Sequence, residues 1–187
     1  NACNGVNLNI PFSASFPSTF TWIATDNPNV NGETTTLQTT SSLANSLTLA
    51  PGVTTAQSII YTITPTAISS GCTGTPQTVT VTISPVPSMT SATNTSICSG
   101  NPVNFSLTAS APSNFTWIAS NNVNVTGEST TSQTGSVLTD VLVNNSTLIQ
   151  TVTYNVTPRS IAGNCQGTVQ FVAVNINPAP QVTFSGN

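Results

Sequence analysis

Apolar and polar side chains alternate at every second residue over much of the chain, and this period predicts strands. Val79, Val81 and Ile83 point one way while Thr78, Thr80, Thr82 and Ser84 point the other. Phe171 to Ile176 repeats the alternation less regularly. The run Ile59-Ile60-Tyr61-Thr62-Ile63-Thr64 is the other arm of a hairpin, closed by the Gly/Ser-rich stretch from Ala67 to Pro76. Leu8, Ile10 and Phe12 alternate ahead of Trp22, as Val103, Phe105 and Leu107 do ahead of Trp117. Turn signals such as Pro17-Ser18 and Asn31-Gly32 separate the runs. No apolar run is long enough to cross a bilayer as a helix.

The pattern occurs twice. Phe20-Thr21-Trp22-Ile23-Ala24 recurs as Phe115-Thr116-Trp117-Ile118-Ala119, an offset of 95, and Gly32-Glu33 recurs as Gly127-Glu128. Further on the offset is 93: Tyr61 matches Tyr154, Pro65 matches Pro158, and Pro85-Val86-Pro87 matches Pro178-Ala179-Pro180. A two-residue indel therefore falls between about Leu43 and Tyr61, where a loop is expected. The period is the length of a domain that buries its own core, far longer than a solenoid repeat. The expected architecture is all-β, with two tandem immunoglobulin-like β-sandwiches at 1–87 and 88–180. Residues 181–187 align with 88–94 and read as the opening strand of a third unit.

Composition narrows the chemistry. Asn, Ser and Thr number 22, 24 and 35 of the 187 residues, while one cation, four acids and no His or Lys are present. Scarce charge at 37% hydrophobic content argues against disorder. Without His there is no Ser-His-Asp triad and no imidazole ligand. With Arg159 as its single basic residue the chain has no phosphate-neutralising surface, so neither nucleic acid nor an anionic membrane is expected as a partner. No catalytic, cofactor-binding or metal site is expected, and the chain reads as a non-enzyme.

Each candidate residue has a structural reading beside a functional one. Trp22 and Trp117 would stack on sugars if exposed, but their matched places in alternating strands favour core positions, with Tyr61 and Tyr154 as tyrosine-corner analogues. Glu33 and Glu128 belong to different copies, so they do not form an acid/base pair. Asp26, Asn29 and Glu33 offer oxygen ligands of the kind calcium takes, yet the second copy has Asn121 in place of Asp26. Arg159 is expected on a loop as a solvated side chain.

Cys3, Cys72, Cys98 and Cys165 lie in Cys-x-Gly settings with no C-x-x-C unit, which favours disulfides in an oxidising compartment over zinc. Four cysteines allow three pairings. Cys3–Cys72 with Cys98–Cys165 is the economical one, since every copy is then self-contained. Closing such a loop is worth about 4 kcal/mol on the chain-entropy model. A simple sandwich nevertheless puts Cys3 and Cys72 at opposite ends, which keeps Cys3–Cys165 open.

Val-Asn-Phe-Ser-Leu-Thr, Tyr-Thr-Ile-Thr-Pro-Thr, Cys-Thr-Gly-Thr-Pro and Thr-Val-Thr-Val-Thr-Ile-Ser-Pro together resemble PKD-like repeats over essentially the whole chain. Such repeats occur in very large cell-surface gliding-motility adhesins of Bacteroidetes. The resemblance implies an immunoglobulin-like fold, type IX secretion and a place in an extracellular, outer-membrane-attached filament that serves surface adhesion and gliding. It implies neighbouring repeats as partners, with surface polysaccharide or a substratum as the adhesin's target, and brings no catalytic residues. The acidic Gly-Asp-Gly turn of the PKD pattern is missing from the Trp strands. The alternative reading is a polysaccharide-binding β-sandwich module of a secreted protein.

Overall fold

The computed structural model describes residues 1–180 and 182, so the third unit expected at 181–187 lies, Val182 aside, outside the described residues. The first copy runs β1 (Ala2–Cys3), β2 (Ile10–Pro11), β3 (Ser18–Ala24), β4 (Val30–Asn31), β5 (Ser42–Leu43), β6 (Thr48–Leu49), β7 (Gln57–Ala67) and β8 (Gln77–Ser84). The second runs β9 (Asn94–Cys98), β10 (Phe105–Ser106), β11 (Ser113–Ala119), β12 (Val125–Thr126), β13 (Gln133–Thr134), β14 (Val137–Leu138), β15 (Val143–Asn144), β16 (Gln150–Ser160) and β17 (Gln170–Asn177). The all-β expectation holds.

In the first copy the main sheet has the order β1-β8-β7-β3, facing the short pairs β2-β5 and β4-β6. In the second the order is β13-β11-β16-β17-β9, with β10-β14 and β12-β15. The expected hairpin is β7–β8, antiparallel, with Tyr61 opposite Val79. Both main sheets gain a parallel strand, β1 on β8 and β9 on β17, with registers Cys3↔Ser84 and Cys98↔Asn177. The two-residue indel also appears: residues 50–56 join β6 to β7, whereas residues 145–149 join β15 to β16.

Alternation becomes burial. Trp22 and Ala24 face inward from β3, and Ile59 and Tyr61 from β7, to meet Val81 and Ile83. Val152, Tyr154 and Val156 meet Val172, Val174 and Ile176 in the second core. Each buried aliphatic side chain of this kind is worth roughly 1.5–3 kcal/mol. Gly32 and Gly127 sit at φ +93° and +98°, and a Cβ there would stand 2.1 and 2.0 Å from the carbonyl oxygens of Ser46 and Val141. Only glycine fits both the left-handed backbone and that close approach.

Contacts divide the chain into two compact units. One is Asn1–Val86 together with Ala162–Cys165; the other is Pro87–Ile161 with the chain from Gln166 onward. The loop between β16 and β17 thus lends four residues to the unit that holds the first copy.

Candidate functional site

The lent loop carries the only disulfide among the described residues. Cys3 at the end of β1 bonds Cys165, S–S 2.02 Å and Cα–Cα 5.7 Å. Cys72 and Cys98 are exposed free thiols. The self-contained pairing is therefore corrected, and strand length gives the reason. Cys3 lies opposite Ser84, at the C-terminal end of β8, whereas Cys72 lies in the loop before Gln77, at its N-terminal end. An eight-residue strand spans about 26 Å, far beyond the roughly 7 Å Cα limit of a disulfide. Cys98 and Cys165 are separated along β17 in the same way.

Close packing surrounds the bond. Cys165 is 1% exposed, and its Sγ lies 3.8 Å from the Ser84 carbonyl oxygen, to which Asn4 N donates at 2.8 Å. Gly163, at φ +74°, leaves no space for a side chain: a Cβ would stand 2.2 Å from Ser84 Oγ. That hydroxyl is buried and makes no hydrogen bond. The arrangement is a cross-link without a reactive thiol of its own.

A polar centre sits inside each core. Asn45 accepts from Thr34 Oγ1 at 3.0 Å and donates to the Tyr61 hydroxyl at 3.1 Å. At the matching place Asp140 accepts from Tyr154 at 2.8 Å, and from the backbone N and Oγ of Ser129 at 2.8 and 2.7 Å. Burial pushes the Tyr154 phenol far above its usual range, and the bond to Asp140 adds to the rise. Burial also raises Tyr61; the bond from Asn45 pulls it back in part, and the charge of Glu33 raises it. Both tyrosines thus bond side chains, whereas a tyrosine corner bonds backbone. Alignment of the copies pairs Asp140 with Asn45, but sequence reasoning set the pair aside because the acid does not recur; the stronger signal was one polar residue recurring between paired leucines, Leu43/Leu47 and Leu138/Leu142.

Trp22 and Trp117, at 3% and 4% exposure, pack in the cores with ring centroids 5.9 and 5.7 Å from Tyr61 and Tyr154. Their faces are not available to a sugar. Trp22 donates to Thr40 Oγ1 at 2.9 Å, but Gly135 stands where Thr40 would be, and the Trp117 indole N–H is buried without an acceptor. Glu33 and Glu128 do the same work in separate copies, accepting from Asn27 N and Asn122 N at 3.1 and 3.0 Å and closing the loop ahead of them. Among the described residues no group of three His, Cys, Asp or Glu is placed to hold a metal ion. Arg159 is corrected from loop to strand: it lies in β16 and donates to Gln166.

The model of a PKD-like domain matches residues 1–87 and again 95–180. The chain belongs to the PKD-like domain family. No curated protein matches it. Among solved structures, this PKD-like pair is similar to a complex of Dpr11 IG1 with DIP-gamma IG+IG2, at 10% identity and TM-score 0.40, covering 95% of this chain and 94% of that one. It is also similar to mouse cadherin-23 repeats EC22–24 (14% identity, TM-score 0.41), covering 96% of this chain and 61% of that one. The insect immune protein hemolin matches at 14% identity and TM-score 0.35, covering 95% of this chain and 44% of that one. PKD-like domains are typically non-catalytic binding or structural modules.

Proposed function

We propose that this PKD-like pair is a load-bearing spacer in the stalk of an extracellular adhesin. The observation that carries this reading is the bond from Cys3 to Cys165, which ties the first copy to the second. Disulfides persist in oxidising, extracellular surroundings. A surface of Thr, Ser and Asn that is almost without ions is insensitive to salt, and Pro85-Val86-Pro87 stiffens the junction in sequence. Transport by type IX secretion and a part in gliding belong to the same reading, which rests there on the resemblance of the repeats.

Pulling on the chain ends in a force spectrometer tests the mechanical role. The bond spans 162 residues, a contour of about 55 nm at full extension. Oxidised protein should release less than about 10 nm, since only the chain outside the bond can stretch, and reduced protein should release nearly all of the remainder. Equal extension in both states would remove the mechanical role. Specific retention of a glycan by the folded chain would move it to the ligand-holding class.

A further inference from the structure

The two free thiols are of opposite kinds, and each matches one partner of the bond that exists. Cys98 ends β9 as Cys3 ends β1: each lies beside the last residue of the final strand, and the following N–H donates to that residue's carbonyl (Asn4 to Ser84, 2.8 Å; Ser99 to Asn177, 2.9 Å). Cys72 sits in its hairpin loop as Cys165 does in the other. A left-handed residue precedes each, Gly71 at φ +70° and Asn164 at φ +57°. One residue beyond the cysteine's neighbour, Gly74 N and Gly167 N donate to the carbonyls of Pro65 and Pro158 at 2.8 and 2.9 Å.

The bond present joins a strand cysteine of one copy to the hairpin cysteine of the copy after it. We propose that Cys98 and Cys72 are the open halves of the same link. Cys98 bonds the hairpin cysteine of a PKD-like repeat following it, and Cys72 bonds the strand cysteine of a repeat preceding it, so that disulfides run stepwise along the array. This goes beyond a spacer role and does not depend on adhesion.

A second observation supports it. Gly167 is glycine because a Cβ there would stand 2.0 Å from the carbonyl oxygen of Pro87, in the Pro-x-Pro segment. Gly74 stands at the matching place, where a Cβ would come within 3.0 Å of Pro65 Cγ and 3.6 Å of the Pro65 carbonyl oxygen, as one at Gly167 would come within 2.9 Å of Pro158 Cγ. The first loop thus carries no side chain at the position where the second meets its Pro-x-Pro segment. Beside it Cys72, Phe16 and Pro65 line a hollow of about 390 Å³, with the Phe16 ring 71% exposed.

Formation is an ordinary oxidation. Two thiols lose two protons and two electrons to form one Sγ–Sγ bond, and a small-molecule disulfide such as oxidised glutathione takes up the electrons and becomes two thiols.

The test joins two complete chains in one polypeptide through a single threonine, in the place that Thr95 holds between Asn94 and Ser96, and folds it in a glutathione redox buffer. The product has twice the chain's four cysteines. A stepwise link gives three disulfides and two alkylatable thiols, with a Cys98–Cys72 peptide between the halves. Cys98→Ser in the first half should abolish that peptide. Ser70 stands where the other loop has Gly163, so a Ser70→Gly fusion is run alongside. The Cys98–Cys72 bond in the unsubstituted fusion supports the link; the bond only with Ser70→Gly overturns the role given to Cys72, and four free thiols in both overturn the link altogether.

Discussion

The Tyr154 hydroxyl donates to Asp140 Oδ2 across 2.8 Å, while at the same place in the first copy Asn45 donates to Tyr61. One acid-for-amide exchange thus reverses the direction of a buried hydrogen bond in otherwise matching cores. Asp140→Asn should be the milder change, at a cost of about 1 kcal/mol, because the amide can donate to Tyr154 as Asn45 does to Tyr61 while the Ser129 N–H loses its acceptor. Asp140→Ala strands the phenol and should cost about 2–3 kcal/mol in denaturant unfolding. Equal costs for the two variants would show that the bond does not matter.

Stability should fall at alkaline pH. Both phenols titrate above the ordinary value of 10.0 while folded, held neutral chiefly by burial. Above that value the unfolded chain releases protons that the folded chain keeps, so stability decreases with rising pH by up to about 1.4 kcal/mol per unit for each tyrosine. Below it this contribution is fully present and flat. Tyrosinate absorbance should therefore appear together with the loss of sheet signal in circular dichroism. Reversible ionisation near pH 10 in folded protein would contradict the burial.

The two tryptophans should differ. Thr40→Ala removes the acceptor of the Trp22 N–H and should cost about 1–2 kcal/mol. Trp117→Phe discards an N–H that has no acceptor, so it should cost about 1 kcal/mol less than Trp22→Phe. The reverse order, measured by urea unfolding, would place an acceptor at Trp117.

Packing around the bond gives a double-mutant test. Gly163→Ala puts a methyl group against Ser84 and should lower the fraction of protein carrying the Cys3–Cys165 bond under a fixed glutathione buffer. Ser84→Ala removes a buried hydroxyl without a partner and should be neutral or slightly stabilising. Combining the two should recover part of the loss; simple additivity would mean that the methyl group never meets Ser84.

The alternation of Val79, Val81 and Ile83 and the duplicated Trp block made the sandwich cores legible, because burial on one sheet face imposes a period of two. The buried role of Asn45 and Asp140 stayed hidden, since a single polar residue in an apolar stretch reads as a surface position until its partner tyrosine is placed. Disulfide pairing was legible only in part: sandwich topology already set Cys3 and Cys72 at opposite ends and kept Cys3–Cys165 open, without deciding between the pairings. Spacing says which loops can close, while the end of β8 at which Cys3 emerges decides which cysteine it can reach. Arg159 was misplaced on a loop, whereas β16 continues through Pro158 and Arg159 to Ser160.

The cross-copy bond is tested most directly by blocking free thiols, unfolding the protein without reductant and cleaving it after Glu33 and Glu128. Cys3 then lies in fragment 1–33, Cys72 and Cys98 in 34–128, and Cys165 in 129–187. A Cys3–Cys165 bond yields 1–33 joined to 129–187, with 34–128 released alone and alkylated at both cysteines. Three fragments held together through 34–128, separating only on reduction, would show that each copy closes on itself and would contradict the cross-copy link.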